Sequence, residues 1–373
     1  MIYYFILLYG ILTIILLVTL FNLVSAPMVK NGPYPKQIPK VSVLIPCRNE
    51  DRNIQTCLAG LCSQDYPNLE IFVLDDHSQD KTAALVTAYM EIDPRIRLVH
   101  GKTLPAGWTG KNWACHQLSQ EAQGKILLFT DADNFHAPFA VSRTVGWMEK
   151  LDLDLLSAFP QQITQTWAEK LIVPIFDLFV YSLLPLWLTY RAPQESLSAA
   201  NGQWIAFTRY GYDKLGGHAS VQKHIVEDTT LIRRAKRLGL RTLTTSGCDA
   251  IFGRMYHNLH EVWYGFAKNA FGLMNFQITP FFLFLALLFF IYVIPFFLLA
   301  VPIFQPLIWP AVAIILFIRL SIAVKFKQPI FFSVVLHPIG ILATLLVGLT
   351  SFYYYLIGAI LWKGRAVAMH KAK

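Results

Sequence analysis

Charged residues are absent from three long stretches, which divide the chain into apolar ends and a mixed middle. No Asp, Glu, Lys or Arg occurs at positions 1–29, 270–318 or 328–362. A run of about 20 apolar residues is long enough to cross the ~30 Å hydrocarbon core of a bilayer. The pattern therefore predicts a membrane protein with one soluble domain, at residues 40–270.

The first apolar stretch predicts an uncleaved membrane anchor over residues 1–25. It lacks the basic beginning of a secretory signal peptide, and its apolar run is too long for one. Lys30, Lys36 and Lys40 follow the anchor, and basic residues next to a span favour the cytoplasmic side. We therefore expect an integral protein of the inner (plasma) membrane whose soluble domain lies in the cytoplasm.

The apolar region at 278–362 predicts further spans. Residues 279–304 and 307–324 form two runs joined at Gln305-Pro306, and basic residues after the second run indicate a return to the cytoplasm. The last run, 329–362, would be ~50 Å long as a single helix. It is either one tilted span or a hairpin of two short ones, and the basic tail favours the hairpin.

In the middle of the chain, short apolar runs rich in β-branched residues alternate with helical patterns. The runs predict strands at 40–46, 69–74, 96–100, 125–130 and 204–208, and the helical patterns lie at 51–64, 82–90 and 112–122. Strands alternating with helices predict an α/β, Rossmann-like domain with a mainly parallel sheet.

A further apolar segment lies inside this domain, at 171–190. It contains Pro174, Asp177 and Pro185, and a full membrane span there would place the two halves of the domain on opposite sides. We therefore expect an interfacial helix in the membrane plane, or a wall of a groove for a lipid.

Polar clusters follow three of the predicted strands. They are Arg48-Asn49-Glu50, Asp75-Asp76 and Asp131-Ala132-Asp133. Ligands of parallel α/β sheets bind beyond the carboxyl ends of the strands. Convergence of the three clusters on that edge predicts a binding site there.

Asp131 and Asp133 follow a buried strand at a spacing that lets one turn aim both carboxylates at a hard cation. Oxygen ligands favour Mn²⁺ or Mg²⁺, and a diphosphate would complete the coordination shell. Such a metal neutralises the charge that builds on a leaving diphosphate. An Asp-x-Asp pair alone also occurs in solvated turns, so the metal prediction depends on the neighbouring clusters.

Asp76 and Lys111 are candidates for holding the rest of a nucleotide. The carboxylate of Asp76 suits a uracil imide N–H or a ribose hydroxyl, whereas Ser78 or Asp80 nearby suits a helix cap. Lys111 follows a Gly-rich turn at the start of a helical pattern, where backbone N–H groups attract phosphate. A plain turn with a surface lysine is the alternative.

Glu227 and Asp228 begin an amphipathic helix. Group transfer to a hydroxyl needs a base for the acceptor proton, and we assign that role to Asp228, with Glu227 orienting it or binding the acceptor. The alternative is a helix cap. Asn201-Gly202-Gln203 has the polar character of a wall for a sugar or an acceptor, or of a simple turn before a strand.

Charge and cysteine usage exclude some function classes. The net charge is +9, but no basic stripe interleaved with aromatic residues is present, so we expect no nucleic acid partner. Basic residues that face anionic lipid headgroups explain the charge. The five cysteines show no paired or metal-binding spacing, which agrees with a reducing compartment.

Four motifs occur in an order and spacing that resembles family 2 glycosyltransferases. They are VSVLIPCRNE at 41–50, LDDHS at 74–78, DAD at 131–133 and ED at 227–228. The resemblance covers about residues 41–269 and implies a GT-A fold, a nucleotide-sugar donor, a divalent metal and inversion at the anomeric carbon. The donor-binding residues assigned from the motif positions and the strand ends are Pro46, Arg48, Glu50, Asp76, Lys111 and Asp131. The same resemblance implies Mn²⁺ or Mg²⁺ at Asp131 and Asp133, and Asp228 as the base.

Two shorter motifs narrow the resemblance. WTGKNWA at 108–114 and WKGR at 362–365 are similar to the branch that glycosylates hopanoids, carotenoids and related polyisoprenoid lipids. The anchor and the C-terminal spans also resemble ceramide glucosyltransferase. The Gln-x-x-Arg-Trp motif of processive synthases is absent from the sequence, which argues against polymerisation and leaves Arg254 or Lys268 to contact the diphosphate.

The sequence thus predicts transfer of a hexose from a nucleotide sugar, with UDP favoured, to a hydroxyl or carboxyl of a membrane lipid such as a carotenoid or hopanoid. Among enzymes, the alternative is a polyprenyl-phosphate or polysaccharide sugar transferase. Outside them, it is an inactive membrane protein that keeps a nucleotide-binding fold for interactions, and the intact carboxylates argue against it.

Overall fold

The middle of the chain folds around a seven-stranded sheet in a computed structural model, which describes residues 2–358, 361–362 and 365–366. The strands are β1 (Val41–Cys47), β2 (Leu69–Asp75), β3 (Ile96–His100), β4 (Ile126–Thr130), β5 (Asn134–His136), β6 (Leu155–Phe159), β7 (Gln161–Gln162), β8 (Trp204–Thr208), β9 (Thr242–Ser246), β10 (Ile251–Gly253), β11 (Leu361–Trp362) and β12 (Arg365–Ala366). The large sheet has the order β3-β2-β1-β4-β8-β6-β9, while β5, β10 and β7 form a second sheet, and β11 pairs with β12.

Pairing in the large sheet is mainly parallel. β1 pairs in parallel with β2 and β4, β2 with β3, and β6 with β9. Only β8 runs antiparallel to its neighbours within this sheet, which are β4 and β6. The predicted α/β fold is therefore confirmed, and the five predicted strands begin and end within one residue of their expected positions.

Helices cover both faces of the sheet and form a separate apolar bundle. They are α1 (Ile2–Ser25), α2 (Ile54–Cys62), α3 (Thr82–Ile92), α4 (Gly110–Glu121), α5 (Ala140–Leu151), α6 (Trp167–Leu183), α7 (Leu188–Arg191), α8 (Arg209–Leu215), α9 (Glu227–Arg237), α10 (Leu259–Ala270), α11 (Ile278–Tyr292), α12 (Ile294–Leu298), α13 (Gln305–Lys325) and α14 (His337–Ile357). Leu58 of α2 and Val145 of α5 belong to the core on one face, and Leu118 of α4 and Leu231 of α9 to the core on the other. Because both faces are covered, β1 and β2 are buried almost throughout, which explains their continuous apolar runs.

Among the residues that the structure describes, four helical segments are long and apolar enough to cross a membrane. They are Ile2–Ser25, Ile278–Leu298, Pro302–Lys325 and His337–Ile357. The expected turn at Gln305-Pro306 is wrong, because these residues form the first turn of α13, where a proline is well tolerated. The chain instead turns just before them, around the short 3₁₀ helix Pro302–Phe304.

The expected hairpin in the last apolar run is also wrong for the described residues. A π-helical turn at Phe331–Val335 leads into the single long helix α14. Its glycines are packing contacts rather than turns, since a Cβ on Gly340 would meet the Leu171 carbonyl oxygen at 2.9 Å, and one on Gly348 would meet the Leu285 side chain at 2.9 Å. Of the WKGR motif, Lys363 and Gly364 lie outside the described residues.

α6 lies between the sheet domain and the apolar bundle, in contact with α1, α10, α13 and α14. Asn22 of α1 is 1% exposed, donates to the carbonyls of Tyr181 and Leu184, and accepts from the N–H of Leu186. These three buried hydrogen bonds fix the end of α6 to α1. The segment at 171–190 thus contains most of α6 and most of α7.

α6 also carries a buried carboxylate that faces α13. Asp177 accepts from Gln328 Nε2 at 2.9 Å, and Gln328 Oε1 accepts from the guanidinium of Arg319 at 3.5 Å. Arg319 is fully buried, so the opposite charge of Asp177 offsets part of the penalty of removing it from water. A polar chain therefore joins α6 to α13.

Replacement of Asn22 by leucine should detach α6 from α1. The substitution leaves the N–H of Leu186 and two carbonyls buried without partners, which costs about 2–4 kcal/mol and lowers the melting temperature in detergent by roughly 5–10 °C. Thr19→Val is the matched control, because the Thr19 hydroxyl bonds only the Ile15 carbonyl of its own helix. Equal melting temperatures for the two variants would contradict the role of Asn22.

Candidate active site

The ends of β1 and β2 are locked together by the motifs that follow them. Arg48 donates from Nη1 to the backbone carbonyl of Asp76 at 2.6 Å, and the same nitrogen lies 3.9 Å from the Asp76 carboxylate. Asp76 is only 3% exposed, so the charge of Arg48 offsets part of the burial of that carboxylate. Arg48 and Asp76, both predicted to bind the donor, are therefore neighbours.

Two residues after these strands adopt the left-handed backbone conformation, Asn49 with a φ of 55° and His77 with a φ of 57°. The N–H of Asn49 donates to the hydroxyl of Ser78, and the N–H of Gln79 donates to the side chain of Asn49. Such conformations are uncommon outside glycine and concentrate at functional sites. The turns after β1 and β2 are thus held together by hydrogen bonds between them.

Asp133 is held by an amide from the start of β8. Gln203 Nε2 donates to Asp133 Oδ1 at 3.4 Å and to the Asn134 side chain at 3.1 Å. Asn134 in turn donates to the carbonyl of Gln203 at 2.6 Å, and Gln162 donates to the Gln203 side chain at 2.9 Å. The sequence assigns Gln203 to an acceptor wall, whereas the structure places its side chain on a predicted metal carboxylate.

Burial raises the pKa of Asp133, and the charges of Asp131 and Glu50 raise it further. A divalent cation bound by Asp131 and Asp133 would offset the repulsion among these carboxylates. Among the described residues, no group of three or more His, Cys, Asp and Glu side chains is arranged to hold a metal. A cation at Asp131 and Asp133 would therefore take its other oxygen ligands from water or from a bound donor.

Asp228 lies in the first turn of α9, against the chain that enters β8. Its Oδ2 accepts from the N–H of Gly202 at 2.9 Å, and its Oδ1 from the N–H of Thr229 at 2.6 Å. Burial raises the pKa of Asp228, and so does the charge of Glu227. Because Gly202 precedes Gln203, the predicted base and the predicted metal carboxylate are connected through two consecutive residues.

Lys111 makes ion pairs both with the predicted metal motif and with the neighbour of the predicted base. Its Nζ lies 2.9 Å from Asp131 Oδ1 and 3.1 Å from Glu227 Oε1. Burial lowers the pKa of Lys111, but the charges of Asp131 and Glu227 outweigh burial and raise that pKa well above its ordinary value. Lys111 therefore stays protonated. The sequence predicts that it attracts phosphate, whereas in the structure it contacts two carboxylates.

Six of the twelve predicted site residues line one cavity. It encloses about 270 Å³, including its open mouth. The predicted site residues on its wall are Pro46, Lys111, Asp131, Gly202, Glu227 and Asp228.

Asn112 shapes the site without having been predicted. It is fully buried, and its amide donates to the carbonyls of Val221, Gln222 and His224 at 2.8, 3.3 and 3.0 Å. These bonds tie the start of α4 to the loop that leads to Glu227. The only local sign of this role in the sequence is an amide side chain next to a glycine-rich turn. Its partners could not be predicted, because Val221, for example, lies 109 positions away.

Arg254, one of two candidates for contacting the diphosphate, is directed elsewhere. Its guanidinium pairs with Glu169 at 3.2 Å, and its backbone N–H donates to the carbonyl of Asp133. Glu169 also closes a capping box with Thr166 at the start of α6. Arg254 thus links α6 to the metal motif. Lys268, the other candidate, lies in α10.

Comparison with known proteins identifies the class of the domain. Residues 42–171 match the model described as Glycosyl transferase family 2. This stretch carries the first three of the four motifs and is similar to family 2 glycosyltransferases, as those motifs predict.

Two curated relatives and one solved structure are similar to the chain. "Probable glycosyltransferase YdaM" of Bacillus subtilis (strain 168) is 30% identical over 208 residues, which are 55% of this chain and 48% of the relative. A "4,4'-diaponeurosporenoate glycosyltransferase" of Staphylococcus haemolyticus (strain JCSC1435) is 27% identical over 220 residues, 58% of this chain and 56% of the relative. The chain thus spans about half the length of these relatives.

The solved structure is "Mannosyltransferase PcManGT from Pyrobaculum calidifontis in complex with GDP-Man and Mn2+". It has a TM-score of 0.59 at 19% identity and covers 95% of this chain and 97% of its own. The likeness extends over both the sheet domain and the apolar helices, and it confirms the predicted GT-A fold.

Asn112→Leu should loosen the loop before Glu227. Loss of two or three hydrogen bonds, at about 1 kcal/mol each, should speed tryptic cleavage after the exposed Lys223 by about tenfold or more. The control is Gln117→Leu, which removes an amide of the same helix that accepts from the N–H of Lys102 instead. Mass spectrometry of the fragments measures the rate, and unchanged cleavage in Asn112→Leu would refute this role.

Proposed function

We propose that this chain transfers a hexose from a nucleotide sugar, with UDP as the favoured nucleotide, to a membrane lipid with inversion at the anomeric carbon. The observation that carries the proposal is the connection of two carboxylate clusters. Asp228 accepts from Gly202, and Gln203 donates to Asp133. A donor diphosphate at Asp133 and a base at Asp228 are thereby parts of one site.

The donor lies along the ends of β1, β2 and β4 in this proposal. Asp76, positioned by Arg48, contacts the nucleoside with Glu50, and Asp131 and Asp133 hold Mn²⁺ or Mg²⁺ together with the diphosphate. A divalent cation bound there neutralises the charge that develops on the leaving nucleoside diphosphate. The pKa of Asp133 is raised first by burial and then by the charges of Asp131 and Glu50, and a cation would offset the repulsion from these charges.

Asp228 is the proposed base. With a hydroxyl acceptor, its carboxylate takes the proton while the oxygen attacks the anomeric carbon opposite the leaving diphosphate, which produces inversion. Burial beside Glu227 raises its pKa toward neutrality, where a general base is most effective. A carboxyl acceptor is already ionised at neutral pH and needs no such base.

A lipid acceptor is supported by the apolar part of the molecule. Four segments within the described part of the chain are long enough to cross a membrane, and α6 packs against three of the helices within them. One relative is named for 4,4'-diaponeurosporenoate, which favours a carotenoid-type lipid. We place the apolar helices in the inner membrane, the sheet domain on its cytoplasmic side, and the acceptor near Asn201, Gly202 and Gln203.

The direct experiment is a transfer assay with the purified chain in vesicles, Mn²⁺ and a panel of nucleotide sugars. Hydroxylated carotenoids, carotenoid carboxylates, hopanoid alcohols and polyprenyl phosphate are offered separately, and products are identified by mass spectrometry. If product forms only with polyprenyl phosphate, the chain is a polyprenyl-phosphate sugar transferase, and the assignment of a carotenoid or hopanoid acceptor is wrong. Inactivity with every donor and acceptor would favour the nucleotide-binding interaction protein.

Asp133→Asn should lower transfer and donor hydrolysis by about a hundredfold or more, because the carboxylate that holds the cation is lost. Rates are measured with Mn²⁺ and with a chelator. Asp213→Asn, which removes an exposed carboxylate on α8, is the control and should keep full activity. Full, chelator-sensitive activity in Asp133→Asn would refute the metal assignment.

Asp228→Asn should distinguish the two classes of acceptor. Transfer to a hydroxyl should fall by about 10²–10⁴-fold, because the base is lost, while transfer to a carboxylate should change far less. UDP affinity, measured by calorimetry, should stay near that of the native chain. Loss of UDP affinity instead would place Asp228 in the donor site.

A further inference from the structure

Lys111 bridges groups to which the proposed function gives different tasks. Its Nζ lies within 3.2 Å of both oxygens of Asp131 and 3.1 Å from Glu227. Asp131 belongs to the metal motif, and Glu227 adjoins the base Asp228. One side chain therefore contacts the donor part and the base part of the site at the same time.

The position of Lys111 is determined by the backbone around it. Thr109 caps α4 by accepting from the N–H of Asn112, and the N–H of Thr109 donates to the carbonyl of Gln222. Lys111 lies in the first turn of α4 and is thus held relative to the loop that leads into α9.

The close approach of Gly202 is a second constraint on the same side chain. A Cβ at Gly202 would lie 3.0 Å from Lys111 Nζ and 3.2 Å from Glu227 Oε1. A larger residue at 202 would crowd the ion pair. The three elements β4, α9 and the entry to β8 therefore meet around one ammonium group.

Electrostatics place Lys111 in competition with a cation at the metal motif. Lys111 already contacts both carboxylate oxygens of Asp131, so a divalent ion that binds Asp131 must come close to the ammonium group. The two positive charges repel strongly, because the effective dielectric of a partly buried site is low. A donor diphosphate brings negative charge that relieves this repulsion. Metal binding should therefore depend on the donor because of Lys111.

We propose that Lys111 is a positioning residue that couples donor loading to the base: it competes with the divalent cation for Asp131 and holds Glu227 beside Asp228. The inference rests on the proposed function and deepens it. With metal and diphosphate bound, Lys111 would release Asp131 and keep its ion pair with Glu227, so that Glu227 would stay beside the base once the donor is in place.

The test is Mn²⁺ affinity of the full chain, measured from the electron paramagnetic resonance signal of free Mn²⁺ with and without UDP. Without UDP, Lys111→Met should bind Mn²⁺ about tenfold or more tightly than the native chain, because a repelling charge is removed. With UDP, the difference should shrink. At saturating Mn²⁺ and donor, kcat of Lys111→Met should nevertheless fall by about tenfold, because Glu227 is no longer held.

Lys102→Met is the matched control, since it removes an exposed lysine close to the start of α4. It should leave Mn²⁺ affinity and kcat unchanged. Tighter metal binding together with slower turnover is a combination that general loss of structure does not produce. If Lys111→Met is unstable, the rise of its melting temperature with Mn²⁺ still reports affinity and should exceed that of the native chain.

Equal Mn²⁺ affinity of Lys111→Met and the native chain without UDP would overturn this inference and leave the proposed function intact. Tighter Mn²⁺ binding with full kcat would also overturn it, because the link to Glu227 would then be absent. Failure of the native chain to bind Mn²⁺ even with UDP would overturn the metal-dependent function and this inference together.

Discussion

β8 enters the large sheet against β4 in the antiparallel direction, so that Trp204 lies opposite Thr130. In a purely parallel sheet, only the loops that follow strands reach the edge at which ligands bind. Reversal of β8 brings the loop that precedes it, with Gly202 and Gln203, to that edge. A shift of one residue in this pairing would turn every side chain of β8 to the other face and break the contact of Gln203 with Asp133.

The same edge concentrates negative charge. The carboxylates that gather there from β1, β4 and α9 are those of Glu50, Asp131, Asp133, Glu227 and Asp228. Their repulsion opposes folding, and the protein offsets it with backbone N–H groups, an amide and the ammonium group of Lys111. A site that carries more negative than positive charge is suited to ligands that bring a cation with them.

Sequence patterns predict the local features of this site and few of its long-range contacts. Runs of β-branched residues predict the strands, and β1, β2 and β4 lie within one residue of their predicted positions. The polar clusters that follow these runs therefore lie at the strand ends, as predicted. Gln203 and Asp133 are 70 positions apart, and Gly202 and Asp228 are 26 apart, and nothing local signals either contact. The hairpin at 329–362 failed for another reason, because it was inferred from the basic tail and not from a pattern within the run. The packing of Gly340 and Gly348 of α14 against Leu171 and Leu285 has no local signal in the sequence.

α6 gives the apolar helices a mechanical connection to the chemistry. At its first turn, Glu169 pairs with Arg254, whose N–H donates to the carbonyl of Asp133. At its other end, the carbonyls of Tyr181 and Leu184 accept from Asn22 of α1. One helix is thus linked to the metal motif through Arg254 and to the first apolar segment through Asn22, so a displacement of α6 would be transmitted to the backbone of Asp133. Under the proposed function, this connection would join the membrane side, where the acceptor lies, to the donor site at the edge of the sheet.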